Sequence, residues 1–271
     1  MGSIFGKMPK IRHNNRFSNY MGFTEKPSPN PGTIKFILGE KMKTVIFDLG
    51  GTVIDSKSFS FEKGLKKLHD QLAPQTPFML WQKRSADLLA FTYQTRKDHL
   101  LEIPFREYLA FFLKGLRLEG NPEELETSFL EAAETIDAMP GIADCLKTLK
   151  TAGYQLLALS NSAFSARTLK QQLKKIGVLS YFDEVYSSAD NLVRKPCPLL
   201  FELILAIHQL NPEETAMIGN DYRCDIVPAV KLGLKTFWYT STGVSGEDVI
   251  CFSDYLLLPK LIENKKTGSP V

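Results

Sequence analysis

Lys43-Thr-Val-Ile-Phe-Asp48-Leu-Gly-Gly-Thr52-Val-Ile-Asp55 carries the strongest structural signal in the sequence. Its first part, Thr44 to Phe47, is a short run of β-branched, apolar and aromatic side chains, which is typical of a parallel strand buried on both faces. The run ends at a carboxylate and two glycines, which let the backbone turn sharply and let a ligand come close. Ligands bind at the carboxyl ends of strands in open α/β sheets, so we expect Asp48 to lie at a binding site.

Four further apolar runs predict strands at residues 154–159, 182–186, 215–218 and 235–239. A short edge strand is also predicted from Tyr255 to Leu258. Helical periodicity separates these runs, and glycines or prolines mark the helix ends. Strands that alternate with helices indicate an α/β fold with a doubly wound parallel sheet, a Rossmann-like core and right-handed crossovers.

Residues 57–136 interrupt this alternation, because their apolar side chains recur at helical spacing and no strand signal is found. The last of these helices is predicted from Pro122 to Ile136. We therefore expect a helical cap domain inserted after the first strand, with an α/β core domain made of residues 42–56 and 137–271. Five cap side chains are candidates for substrate contacts, although a solvated helix face is the commoner role for each: Arg84, Tyr93, Arg96, Lys97 and His99.

Residues 1–41 are predicted to be a flexible basic extension. Residues 1–43 contain eight Lys or Arg and two Glu, whereas the whole chain has a net charge of only +3. The charges are scattered, and Pro27, Pro29 and Pro31 break any helix. A targeting or docking role for this segment is the less favoured alternative.

The remaining composition favours a cytoplasmic protein without a nucleic-acid or membrane partner. No apolar run reaches the roughly eighteen residues of a membrane span, and no secretory signal is recognisable. The four cysteines are scattered, with no CxxC pair and no zinc-finger spacing. This distribution indicates reduced thiols.

Carboxylates at the predicted strand ends suggest phosphoryl-transfer chemistry. Asp48 is a candidate nucleophile, since a carboxylate can accept a phosphoryl group as an aspartyl phosphate. The phosphoryl charge then needs a hard cation such as Mg²⁺, for which Asp221 and Asp225 offer further oxygens. The alternative role of these two residues is helix N-capping, to which Asp225 is well suited.

Two more polar residues follow the same pattern. Ser160 ends a predicted strand just before a helix, where its hydroxyl and nearby amides can bind phosphate oxygens or simply cap the helix. Lys195 precedes Pro196, which favours an extended backbone. Its ammonium can balance the phosphoryl charge, or it can be an ordinary solvated lysine.

The order and spacing of these residues resemble the haloacid dehalogenase-like superfamily of phosphohydrolases. Four motifs carry the resemblance over about Met42 to Tyr239. They are Val45-Ile-Phe-Asp48-Leu-Gly-Gly-Thr52, Leu159-Ser160-Asn161, Arg194-Lys195-Pro196 with Phe201 following, and Met217-Ile-Gly-Asn-Asp221-Tyr-Arg-Cys-Asp225 with Gly233 following.

This resemblance implies a role for each matching residue. Asp48 is expected to be the nucleophile, and the expected Mg²⁺ ligands are Asp48, the carbonyl of Gly50, Asp221 and Asp225. The expected phosphate-binding residues are Ser160, Asn161 and Thr52, with Lys195 holding the phosphoryl group beside Asp48. The implied activity is that of a Mg²⁺-dependent phosphatase acting on a small phosphorylated metabolite.

The sequence departs from the family pattern at two positions. Gly50 stands where family phosphatases usually carry a second Asp, which protonates the leaving alcohol and then activates water. A general acid is typically worth ~10²–10⁴ in rate, so hydrolysis is expected to be slow or to need a good leaving group or help from His99. Asn220 precedes Asp221 where glycine is commoner, which leaves open which carboxylate reaches the metal.

Two alternatives to a phosphatase follow from Gly50. One is a relative that cleaves another bond, because dehalogenases and phosphonatases of the superfamily also lack the second Asp. Retention of Asp221 and Asp225 argues against the metal-free dehalogenase chemistry, and no cap lysine of the phosphonatase type is identified. The other is a non-catalytic protein that keeps the metal or ligand site.

Overall fold

The computed structural model describes residues 43–98, 100–246 and 248–264, with residues 91–98 and 264 described by their backbone alone. The predicted basic extension, residues 1–41, lies outside the described residues. The same holds for His99 and for the side chains of Tyr93, Arg96 and Lys97.

The described strands make a six-stranded sheet and a two-stranded sheet. They are β1 (Thr44–Phe47), β2 (Ile54–Phe59), β3 (Glu134–Ala138), β4 (Gln155–Ser160), β5 (Glu184–Ser187), β6 (Thr215–Gly219), β7 (Lys235–Tyr239) and β8 (Val249–Phe252). The large sheet has the order β5-β4-β1-β6-β7-β8, and all its neighbours pair in parallel. The predicted parallel α/β sheet is confirmed, and Asp48 follows its central strand, between β4 and β6.

Helices cover both faces of the large sheet. The four helices that lie between β2 and β3 along the chain form a separate layer. They are α1 (Phe61–Leu72), α2 (Phe78–Asp98), α3 (Phe105–Leu116), α4 (Pro122–Ala133), α5 (Ile142–Thr151), α6 (Ala166–Lys175), α7 (Ser188–Asn191), α8 (Pro198–Ile207), α9 (Val227–Lys231) and α10 (Leu258–Asn264). A π-helical turn, Tyr222–Ile226, precedes α9. Helices α1 and α4 begin where side chains of Ser60 and Asn121 accept backbone N–H bonds.

The apolar residues form clusters that match this layering. Val45 and Phe47 of β1 belong to one buried cluster, whereas Ile46 belongs to another. Successive side chains of a strand point to opposite faces, so the central strand is covered on both sides. A third cluster joins α1–α4 around aromatic side chains such as Trp81, Phe112 and Phe129.

Two local predictions are wrong. The helix predicted from Pro122 to Ile136 ends at Ala133, because residues 134–138 pair antiparallel with β2 as strand β3. The edge strand predicted from Tyr255 to Leu258 is instead the approach to α10, and the edge strand is β8. Tyr255, Leu258 and Ile262 are all buried at helical spacing, and an apolar run of four residues does not distinguish this from a strand. The division into core and cap domains at residues 57 and 136 stays a prediction.

Two further predictions concern membrane-spanning helices and the state of the cysteines. Within the described residues, no helix combines the length and the apolar content that crossing a bilayer requires. Cys145, Cys197, Cys224 and Cys251 are free cysteines in the structure, and their reduced state stays a prediction.

Candidate active site

Lys195 joins two carboxylates at the carboxyl edge of the large sheet. Its Nζ lies 2.7 Å from Oδ1 of Asp48 and 2.6 Å from Oδ1 of Asp225, and it donates to the Leu159 carbonyl at 2.9 Å. All three charged side chains are buried. Burial alone would lower the pKa of Lys195, but the two carboxylates outweigh burial and raise it, so the side chain is an ammonium. The predicted nucleophile and the predicted lysine are therefore in direct contact.

Asn161 fixes the backbone that carries Lys195. Its Oδ1 accepts the Lys195 N–H, and its Nδ2 donates to the Lys195 carbonyl, each at 2.8 Å. Asn161 directly follows β4, so the two bonds tie the lysine to the end of that strand. These contacts favour a positioning role for the Asn161 side chain. The phosphate contact predicted for Asn161 would then be made by its main-chain N–H group.

Thr52 orients Asp48 from the turn after β1. Its fully buried hydroxyl donates to Oδ2 of Asp48 at 3.0 Å and lies 3.3 Å from Oδ1 of Asn220. Gly51 has φ 76°, a left-handed conformation that favours glycine, and a Cβ there would also displace the Asn220 amide, 2.4 Å away. The contacts favour Thr52 as a residue that positions Asp48, in place of the predicted contact with phosphate.

Asp221 and Asp225 occupy the turn after β6, where they make different contacts. Oδ1 of exposed Asp221 accepts the N–H groups of Arg223 and Cys224, each at 2.9 Å, so Asp221 is the helix-capping residue and not Asp225. Asp225 is buried, and its second oxygen accepts the Asp221 N–H at 3.0 Å. Burial raises the pKa of Asp225; Lys195 lowers it and Asp48 raises it further. Asp225 thus has both oxygens bound by protein donors.

The oxygen groups at this edge fit Mg²⁺ in their chemistry and charge. Within the described residues, no three Asp, Glu, His or Cys side chains are grouped as ligands of one ion. Mg²⁺ does not require three, since it usually takes one or two carboxylates together with water and substrate phosphate. Lys195 offers one positive charge to Asp48, Asp225 and the nearby Asp221, which leaves an excess of negative charge for a cation to balance.

Ser160 and Gly50 lie beside Asp48 and border a pocket. Among the described residues, none forms a hydrogen bond with the Ser160 hydroxyl. This hydroxyl is therefore available to a phosphate oxygen. Gly50 has an unstrained φ, and a Cβ built on it has no described atom within 4 Å. A carboxylic acid side chain at this position, which the resemblance leads one to expect, would therefore meet no atom of the described residues at its Cβ.

The pocket has a volume of about 220 Å³ and lies between the large sheet and the β2–β3 pair. Its polar lining includes Ser160, Asn161, Ser56, Glu134 and Gln172. Its apolar lining includes Leu49, Ile54, Phe59, Leu130, Phe164 and Leu169. The sequence did not indicate Glu134 or Gln172, because no local pattern shows that β3 and α6 meet beside Gly50.

The α1–α4 layer contacts the loop that leads to Lys195. Leu101 forms an antiparallel bridge with Val193, and buried Glu102 accepts hydrogen bonds from Ser188 and Arg194. The Ser188 hydroxyl also accepts the N–H of Ser162, two residues after Ser160. The helical layer therefore stabilises both loops that border Asp48.

Of the five candidate substrate contacts in α2 and after it, the side chain of Arg84 alone is described. Its guanidinium lies 5.7 Å from the Phe111 ring and packs against Gly115 of α3. Within the described residues it does not line the pocket beside Asp48. Arg84 therefore contributes to the packing of α2 on α3, which is neither the substrate contact nor the solvated helix face that the sequence suggests.

Known proteins are similar in sequence to most of this chain. A family model of haloacid dehalogenase-like hydrolases matches residues 42–233. A glyceraldehyde 3-phosphate phosphatase of Pyrococcus furiosus is 24% identical over 247 residues, 84% of this chain and 96% of that protein. The pyrophosphatase PpaX of Bacillus thuringiensis is 27% identical over 201 residues, 72% of this chain and 82% of that protein.

A solved structure shows the same fold. The crystal structure of a 2-haloacid dehalogenase from Pseudomonas syringae superposes with a TM-score of 0.58 at 22% identity, covering 83% of this chain and 99% of that one. The family match spans the four motifs that contain Asp48, Ser160, Lys195 and Asp221. The chain belongs to the haloacid dehalogenase-like hydrolase family.

Proposed function

We propose that this hydrolase is a phosphatase of small phosphorylated molecules, with Asp48 as its nucleophile. The observation that supports this best is the buried contact between Asp48 and Lys195, which is 2.7 Å long. The residues that follow Asp48, Leu49 and Gly50, line a small pocket. An ammonium next to the carboxylate attracts a phosphate dianion to the nucleophile and offsets its charge. The phosphatase and pyrophosphatase names of the two relatives agree with this substrate class.

The proposed reaction has two steps. An oxygen of Asp48 bonds to phosphorus while the bond from phosphorus to the leaving oxygen breaks, which gives an aspartyl phosphate and the leaving alkoxide or phenolate. Water then attacks the acyl phosphate, phosphate leaves and the Asp48 carboxylate is restored. Ser160, Lys195 and the Asn161 N–H hold the phosphoryl oxygens, and Thr52 and Asp225 keep Asp48 and Lys195 in place.

Mg²⁺ is the proposed cofactor, held by Asp48, Asp221 and the carbonyl of Gly50. Asp225 is proposed to position Lys195 and the turn that contains Asp221, since both its oxygens already accept protein hydrogen bonds. A bound Mg²⁺ would supply positive charge that stabilises the phosphoryl group.

The geometry around Lys195 and the turn after β6 favours a phosphatase over the two alternatives. A metal-free dehalogenase has no use for Asp221 as a metal ligand, and a binding protein has no need of a buried lysine beside the Asp48 carboxylate. Gly50 carries no side chain, so it cannot donate a proton to the leaving group. No other described residue is assigned that role. We therefore propose that leaving groups stable as anions are cleaved fastest.

Hydrolysis of p-nitrophenyl phosphate tests the proposal. Wild-type protein with Mg²⁺ should release p-nitrophenol, and the rate should fall by at least about 10³ in Asp48→Asn, since the amide cannot accept the phosphoryl group. Asp87→Asn, an exposed carboxylate on α2, is the matched control and should retain the wild-type rate. Equal activity in Asp48→Asn, or none in the folded wild type, would overturn the proposal.

A further inference from the structure

We propose that Glu134 makes the pocket beside Gly50 selective for phosphate esters whose far end is a hydroxyl or an ammonium group, and against esters with a second anion. This inference rests on the proposed phosphatase function and specifies its substrate class. It assigns to Glu134 a role as a specificity-determining residue.

Glu134 is held rigidly in the pocket wall from two sides. Its Oε1 accepts the Ser56 hydroxyl at 2.5 Å, and its Oε2 accepts the Gln172 amide at 2.6 Å. The two donors come from β2 and α6, and Glu134 itself begins β3, so three elements fix the carboxylate. All three side chains line the pocket that Gly50 and Ser160 also line.

Each oxygen of the Glu134 carboxylate already accepts one hydrogen bond from the protein, from Ser56 on one side and from Gln172 on the other. Both donors are neutral side chains and bring no positive charge. Each carboxylate oxygen can accept a second hydrogen bond, and a hydroxyl or ammonium group of a ligand can supply it.

The rest of the pocket does not compensate the charge of Glu134. Among the described lining residues there is no Lys or Arg, and the wall is otherwise apolar or neutral. A carboxylate or second phosphate on the ligand would meet a like charge in this pocket, whereas Lys175 lines a neighbouring pocket on the other side of Glu134 and Gln172. This arrangement disfavours binding of a second anion. The volume of about 220 Å³ lies below the roughly 300–1,000 Å³ of drug-sized sites, so the ester is small.

Three two-carbon esters that differ only in their far end provide the test: 2-hydroxyethyl phosphate, O-phosphoethanolamine and 2-phosphoglycolate. Each is measured as a substrate and as a competitive inhibitor of p-nitrophenyl phosphate hydrolysis. In wild type, kcat/KM and affinity should be at least about tenfold higher for the hydroxyl and ammonium esters than for 2-phosphoglycolate. Inhibition gives the affinity order even where alkyl esters turn over slowly.

Glu134→Gln should reduce the preference for the hydroxyl and ammonium esters over 2-phosphoglycolate, which we express as the ratio of their affinities. The ratio should fall chiefly because 2-phosphoglycolate binds more tightly, while p-nitrophenyl phosphate is still hydrolysed. Glu131→Gln, an exposed carboxylate one turn earlier on α4, is the matched control and should keep the wild-type ratio. Gln172→Lys places a cation beside Glu134 and should also narrow the ratio, which covers the case of a poorly folded Glu134→Gln.

The outcomes separate the two proposals. If folded wild type leaves p-nitrophenyl phosphate intact, the phosphatase function fails. If it hydrolyses that ester but binds 2-phosphoglycolate as tightly as the other two, the function stands and the role of Glu134 is overturned. An unchanged ratio in both Glu134→Gln and Gln172→Lys would overturn that role as well.

Discussion

The ammonium of Lys195 lies 2.7 Å from the carboxylate of Asp48, although 147 positions of the chain separate the two residues. A second carboxylate, Asp225, lies 2.6 Å from the same ammonium. The three side chains form a buried cluster in which one positive charge serves two negative ones. Stability and chemistry therefore depend on the same lysine.

Replacement of Lys195 by Met should destabilise the protein by about 3–5 kcal/mol, the usual cost of leaving buried charges without their partner. Urea denaturation would measure the change in the free energy of unfolding. Lys170→Met is the control, because its ion pair with Glu184 is about 40% exposed and should contribute about 1 kcal/mol or less. A loss in Lys195→Met no larger than in the control would show that the cluster does not stabilise the fold.

Gly50→Asp should fold and should hydrolyse alkyl phosphates faster than wild type, by up to ~10²–10⁴ if the new carboxyl group reaches the leaving oxygen. The structure allows the side chain, since Gly50 has no positive φ and no described atom lies within 4 Å of its Cβ position. Steady-state kinetics on an alkyl phosphate and on p-nitrophenyl phosphate would show whether the gain is confined to the poor leaving group.

Gly51→Asp provides the contrast for that substitution. Its φ of 76° and the 2.4 Å approach to Asn220 predict a strained, less stable protein without improved activity. A well-folded Gly50→Asp with no gain, beside a wild type that already cleaves alkyl phosphates quickly, would place the acid on another residue.

The sequence predicts the sheet and the contact of Asp48 with Lys195 well. Buried strands are recognisable as apolar runs, Asp48, Ser160 and Asp221 lie at or just after strand ends, and Lys195 stands in the family's order. Contacts that depend on distant pairing were not predictable. Glu134 becomes a pocket residue only because β3 pairs with β2. The sequence pattern instead assigns Glu134 to the helix predicted from Pro122 to Ile136.

The roles of polar side chains were predicted less well than their positions. Thr52 and Asn161 lie beside the site, yet their hydrogen bonds go to Asp48 and to the Lys195 backbone. A motif identifies which residues gather at a site, but the direction of each donor depends on side-chain geometry that spacing does not encode. The capping role likewise belongs to Asp221, not Asp225.

Mg²⁺ should raise the melting temperature of wild type, because a ligand that binds only the folded state stabilises it. Asp221→Asn removes a proposed ligand and should show a much smaller shift at the same millimolar Mg²⁺ concentration. Asp87→Asn should shift as wild type does. Equal shifts in Asp221→Asn and wild type would remove Asp221 from the proposed ligands.

Glu126 should make stability depend on pH. Its carboxyl group is buried where α4 meets the start of α6 and accepts hydrogen bonds from Ser165 and Thr168. Burial raises its pKa above the ordinary 4.5, although these bonds oppose the shift. The folded protein then keeps this proton to a higher pH than the unfolded chain, so Glu126 lowers stability progressively as pH rises from 4.5 through the raised pKa.

Glu126→Gln removes the ionisation and nearly preserves the shape. The free energy of unfolding of wild type minus that of the variant should therefore decrease as pH rises through this window. Denaturation at several pH values would measure it. A difference that stays constant, or that grows with pH, would contradict the proposed cost of ionising Glu126.

The aspartyl phosphate on Asp48 is the central claim, and chemical trapping tests it most directly. Borohydride added during turnover of p-nitrophenyl phosphate reduces an acyl phosphate to an alcohol, which converts the aspartate into homoserine. Peptide mass spectrometry should find homoserine at position 48 in wild type, in an amount that requires substrate, and none in Asp48→Asn. Rapid hydrolysis of the ester with an unmodified residue 48, or with the modification at another carboxylate, would contradict the account.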